Sequence, residues 1–187
     1  MATPQNHEYT VPGLSLEDGR RVAELLQMRL HTMNDLQLTL KHAHWNVVGR
    51  DFIGVHEMLD PQIELVRGYA DELAERMATL GIAPNGTPGA LVEARTWGDY
   101  SIMRASTVEH LAALDVVYNG VITSNREAIK ELDELDLVTQ DILIAQTQEL
   151  EKFQWFMRAH LEDRDGGLDS AGASGEEEAA AMARDAH

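Results

Sequence analysis

His56 and Asp60 stand four residues apart in the chain, and so do Asp71 and Glu75. On a helix each pair lies on one face, and at about 100° per residue all four side chains fall within an arc of about 100°. Imidazole and carboxylate together suit iron, zinc or manganese, and the harder oxygen ligands favour iron over copper. The stretch KHAHWNVVGRDFIGVHEMLDP, residues 41–61, concentrates this chemistry. It holds three of the eight histidines, one of the three tryptophans (Trp45) and two aspartates. His44, upstream of the pairs, is placed to close a ligand set. The chain has no cysteine, which excludes thiolate ligands and disulfides alike.

Eleven residues separate Asp60 from Asp71, roughly 16 Å along a helix at 1.5 Å per residue. The two pairs cannot hold one metal within one subunit. If two copies of this helix pack antiparallel about a two-fold axis near Leu65 and Val66, His56 and Asp60 of one face Asp71 and Glu75 of the other, twice over. Two-fold self-association is the commonest oligomer symmetry. Competing readings are simple. His44 continues the Met33, Leu36, Leu40 stripe as a core residue would. Asp60 precedes Pro61, so it could cap a helix starting there and leave His56 in a loop. Asp71 and Glu75 could be a solvated face. The alternative di-iron arrangement inside a single bundle uses Glu-x-x-His pairs, and no glutamate here is followed by histidine at that spacing.

The elements that must carry these residues are helical. Ser15 is a candidate N-cap, and Val22, Leu25, Leu26, Met33, Leu36 and Leu40 recur at helical spacing to about His44. Gly49 marks the stop. Asp51 is a candidate cap for a second helix to Gly81, carrying Ile53, Met58, Ile63, Val66, Leu73 and Met77. IAPNGTPG breaks the chain, and ALVEAR reads as a short helical piece. A third helix is expected from about Ser101 to Leu135, and a fourth from about Val138 to Leu161. Four long amphipathic helices with one longer crossover read as an all-α four-helix bundle. It would occupy residues 15–162, between a flexible arm over 1–14 and a flexible acidic tail over 163–187 with few large apolar residues.

The 187 residues suffice for one domain. No apolar run is long enough to span a membrane, and the N-terminus lacks the basic and apolar regions of a secretory signal, so the expected location is cytoplasmic. Fifteen basic residues against 32 acidic ones give a net charge of −17, which disfavours polyanionic partners and favours cations.

HWNVVG, the twelve-residue step from His44 to His56, the D-x-x-x-E of YADELAER and the late KFQWFMRAHLE together resemble the Dps family, the bacterial mini-ferritins. The likeness spans roughly residues 14 to 162. It implies a ferritin-like bundle with a short extra helix in the crossover, assembled from two-fold dimers into a hollow homo-dodecamer. It implies a ferroxidase site at each dimer interface, with His44, His56 and Asp60 from one subunit and Asp71 and Glu75 from its mate. Trp45 matches a tryptophan beside the metals. The implied activity is oxidation of Fe²⁺, preferably by hydrogen peroxide with dioxygen as the other oxidant, and storage of ferric oxyhydroxide in the cavity. Asp136 and Asp141, in the acidic stretch ELDELDLVTQD, match residues lining three-fold pores in the family; as a plain reading, Asp136 caps the fourth helix. The alternative function is a DNA-binding, nucleoid-protecting protein. Residues 1–16 contain no lysine or arginine, and the final 26 residues carry eight acidic groups against two arginines. Non-specific DNA affinity comes from basic groups neutralising phosphates, so DNA binding is not expected.

Overall fold

A computed structural model describes residues 8–187; the first half of the expected N-terminal arm, residues 1–7, lies outside them. Helix α1 spans Leu16–Asn46, capped by the Ser15 side chain, which accepts from the Asp18 amide. A two-residue strand β1, Val47–Val48, leads to α2, Phe52–Thr79. The crossover carries α3, Pro88–Ala94, and returns through β2, Ala105–Ser106, which pairs in parallel with β1, Val47 opposite Ala105. Helices α4, Thr107–Leu132, and α5, Leu137–Leu161, complete the bundle, and α6, Glu176–Ala186, follows. Helix α1 packs chiefly on α2, and α4 on α5.

The core follows the helical stripes. Leu26, Met33, Leu36 and Leu40 of α1 meet Leu59, Leu73 and Met77 of α2, Leu111, Leu114 and Tyr118 of α4, and Leu143, Leu150 and Met157 of α5, all almost fully buried. Ile53, expected among the inward residues of α2, instead lies 59% exposed. It occupies the first turn of α2, ahead of the point where Val55 and Leu59 turn inward.

Three expectations need correction. The third long helix begins at Thr107, not Ser101, because Ser106 and Glu109 form a reciprocal capping box that fixes the start. Asp51 occupies the N-cap position of α2, but its backbone is left-handed (φ 59°) and its side chain makes no capping bond. The acidic tail is also not a wholly irregular segment. Residues 176–186 form α6 and bury Ala179, Ala180 and Ala183 against α4. Alanine is the best helix former, and its small side chain lets the two backbones approach closely. A search for large apolar residues overlooks this mode of packing. Glu176 accepts from the Ser101 amide and hydroxyl at 2.7 and 2.9 Å. At the far end His187 Nε2 lies 2.8 Å from Asp169 Oδ2.

Candidate metal centre

The end of α1 and the start of α2 are bound together by their histidines. His44 Nδ1 lies 3.0 Å from the His56 carbonyl, and His56 Nδ1 lies 3.0 Å from the His44 carbonyl. A carbonyl only accepts, so each Nδ1 is the donor and each Nε2 carries the ring's lone pair. Neither Nε2 has a protein partner among the described residues. The rings stack at 3.6 Å between centroids, inclined by 24°. This is the usual preparation of a histidine ligand, with one nitrogen oriented by a carbonyl and the other left for a metal. The Gly49 turn, at φ +94°, reverses the chain between the helices and makes the exchange possible.

Asp60 joins this pair. Its Oδ1 lies 3.4 Å from His44 Nδ1 and 2.9 Å from Lys41 Nζ. The Lys41 hydrogen bond, aided by the neighbouring histidines, holds the Asp60 carboxyl below its usual range. Lys41 went unremarked in the sequence reading, although its spacing of three from His44 puts both on one face of α1. The capping alternative for Asp60 fails, because α2 runs without interruption from Phe52 through Pro61. His56 is therefore on a helix, not in a loop.

Asp71 and Glu75 lie on the same helix about three and four turns beyond Asp60. Both are exposed, and neither makes an ion pair or side-chain hydrogen bond within the described residues. No group of three or more histidine, aspartate or glutamate side chains among the described residues is arranged to hold a metal ion within a single chain. Trp45, one residue beyond His44, is 71% exposed. It borders a groove of about 670 Å³ with Leu38, Val92 and His42.

The two acidic residues of the fourth helix differ from each other. Asp136 is the N-cap of α5, accepting from the Val138 and Thr139 amides, and it takes a 2.7 Å ion pair from Arg76. Burial alone would raise its carboxyl. Hydrogen bonds from Thr139 and Arg76 outweigh burial and bring it below the usual value. Asp141 is exposed.

A bundle of this topology with helix-borne histidine and carboxylate pairs defines a ferritin-like protein, and the ferritin-like domain family matches residues 23–165. Among relatives, the DNA protection during starvation protein of Mycolicibacterium smegmatis is 63% identical over 176 residues, covering 94% of this chain and 96% of its own. The solved structure of Mycobacterium smegmatis Dps is similar at a TM-score of 0.88 and 64% identity, covering 89% of this chain and 95% of that one. DpsA14 from Streptomyces coelicolor gives 0.86 at 55% identity, covering 89% and 99%. The chain belongs to the Dps family of ferritin-like proteins, a family associated in general with iron storage and DNA protection.

Proposed function

We propose that this protein is a ferroxidase and iron-storage mini-ferritin whose reaction site is shared across a two-fold dimer interface. His44, His56 and Asp60 of one subunit bind ferrous iron together with Asp71 and Glu75 of its mate, and six such dimers form a hollow dodecamer. The observation that carries this reading is the reciprocal histidine lock. It leaves two Nε2 lone pairs free at the end of α2 that also bears Asp60, while the exposed Asp71 and Glu75 have no side-chain partner among the described residues. The exposed Trp45 and Ile53 support an interface on this side of the bundle, since large apolar side chains in water are what association covers.

The iron is substrate. Two ferrous ions each give one electron, and hydrogen peroxide accepts both with two protons and leaves as two waters. Pairing the irons keeps the oxidant from being reduced by a single electron, which would release hydroxyl radical. Carboxylates favour Fe³⁺ over Fe²⁺, so the ligand set drives the oxidation forward. In this reading Trp45 takes part in electron transfer beside the irons. Acidic residues at the start of α5 attract cations to an access route. Asp141 is the exposed member, while Asp136 holds the helix start in place. DNA contact has no part in this reading: α6 opens with Glu176, Glu177 and Glu178, and the net charge is −17. The protein is expected to act in the cytoplasm; no helix among the described residues is long and apolar enough to cross a membrane.

Anaerobic loading with Fe²⁺ followed by peroxide tests the reaction. Ferric absorbance should rise with about two irons consumed per peroxide, the stoichiometry of a paired-iron site. Bound metal with no ferric absorbance would instead support a redox-silent zinc site.

A further inference from the structure

Among the described residues, Arg29 is the one deeply buried arginine, and it has no carboxylate partner. It sits in the middle of α1, facing α4, and is only 6% exposed. The half-buried arginines all have acidic partners: Arg76 has Asp136, Arg95 has Asp35 and Asp99, and Arg158 has Asp115. Among the described residues Arg29 has only neutral ones. Its Nη1 donates to Ser124 Oγ at 2.5 Å and to Asn125 Oδ1 at 3.4 Å. Its Nε is buried with no partner at all, and its Nη2 makes no hydrogen bond. Glu127 acts on it through space without reaching ion-pair distance, and burial lowers its pKa from the ordinary value. A buried cation with unmade hydrogen bonds is costly, and such charges are normally paired.

The guanidinium borders a cavity of about 980 Å³ between α1, α4, the crossover segment around Trp97 and the start of α6. Thr32 and Ser124 place hydroxyls on its wall. The first turn of α6, from Gly175, has no side-chain cap and lies on the rim. Carboxylates line it too, but four of the five are engaged. Asp35 accepts from Trp97 and pairs with Arg95, Asp99 pairs with Arg95, Glu176 accepts from Ser101, and Glu178 accepts from Ser174. Glu176 and Glu178 accept only from neutral donors and keep their charge, as does Glu177, so the site favours a ligand of low charge over a polyanion.

We propose that this cavity is a binding site for a small oxyanion, a carboxylate or a phosphate, held by the unbonded Nη2 of Arg29 and the Ser124 hydroxyl. The site stands apart from the iron ligands and rests on none of their chemistry. The Arg29 Nη2 and the Ser124 hydroxyl together offer donors to two oxygens of either anion, one of them charge-assisted. Because α1, α4 and α6 all border the cavity, occupancy stabilises the docked C-terminal helix by mass action.

The test uses the assembled, iron-free protein. Trp97, on the cavity wall, provides a fluorescence signal for two titrations at constant ionic strength, one with inorganic phosphate and one with acetate. Saturable binding in either arm is expected, and the arm that saturates identifies the anion. Arg29→Gln keeps a hydrogen-bond donor for Ser124 and removes the charge, so it should weaken binding at least about tenfold, the loss of one charge-assisted contact. Ser124→Ala, which leaves Arg29 in place, should weaken it several-fold. Hydrogen exchange over residues 176–186 should slow on saturation in the parent protein alone. No saturation with either anion, or equal saturation in Arg29→Gln, overturns the proposal.

Discussion

The two halves of α2 carry comparable chemistry in opposite conditions. At the N-terminal half, His56 is held by the His44 carbonyl, stacked on the His44 ring and accompanied by an Asp60 that Lys41 already neutralises. At the C-terminal half, Asp71 and Glu75 are exposed and have no side-chain partner among the described residues. One half is organised by its own chain, whereas the other, in the proposed function, is completed by a second copy. Stability and function are therefore joined at the first half and separable at the second.

That separation can be broken directly. Replacing both His44 and His56 with alanine should lower the iron oxidation rate at least about 100-fold, since loss of mere outer-sphere support already costs 10–100-fold at metal sites. It should also lower stability by about 1–2 kcal/mol through the two lost hydrogen bonds. Replacing Asp71 and Glu75 with alanine should reduce the rate as severely while leaving stability within about 0.5 kcal/mol, as for exposed positions generally. Stopped-flow ferric absorbance and chemical denaturation measure the two quantities. An Asp71/Glu75 variant that oxidises iron at the parent rate would confine the site to the histidine half.

Asp136 sharpens the contrast, because it is an acidic side chain that structure has claimed. Asp136→Ala removes the α5 cap and leaves Arg76 unpaired in a nearly buried position, so it should cost about 2–4 kcal/mol. The Asp136 carboxyl lies below its ordinary value of 3.8. Its stabilising contribution is therefore present above that value and is lost as pH falls through the lower folded one. The variant should accordingly show a shallower loss of stability on acidification than the parent. Identical acid limbs in denaturation profiles would mean that the cap and ion pair contribute little.

A smaller effect is expected at Lys41. Its ammonium occupies the Asp60 oxygen assigned to the metal in the proposed site and repels a cation at the same place. Lys41→Met should tighten binding of a redox-inert divalent ion such as Zn²⁺ by a few-fold, as expected of one exposed charge in screened solvent. It should also let the Asp60 carboxyl rise back towards its ordinary range. Weaker Zn²⁺ binding by calorimetry would instead assign Lys41 a role in holding Asp60 in place.

The bundle was legible in the sequence because its signal is repeated. Leu26, Met33, Leu36 and Leu40, and their counterparts on the other helices, all state the same period, and no single exception alters it. Boundaries depend on single residues and were harder to read. The start of α4 lay hidden in a capping box at Ser106 and Glu109, although S-x-x-E is a readable sign. The α6 helix was missed because its buried face is made of alanines, whose contribution comes from close approach instead of apolar bulk. At the candidate site, spacing marked the two pairs on α2, but the reciprocal lock depends on two backbone carbonyls that no side-chain pattern reveals. Lys41 was hidden for a different reason: a lysine nineteen residues from Asp60 is ordinary until the fold brings the two together.

Mixing subunits tests the shared site most directly. His56→Ala and Asp71→Ala subunits are each expected to be inactive when assembled alone. In a mixed dimer both lesions fall in one site, and the other keeps every ligand. Random reassembly of equal amounts should therefore recover about a quarter of the parent's iron oxidation per chain, as two-fold pairing requires. Properly assembled mixed shells with no recovered activity would contradict the intersubunit site.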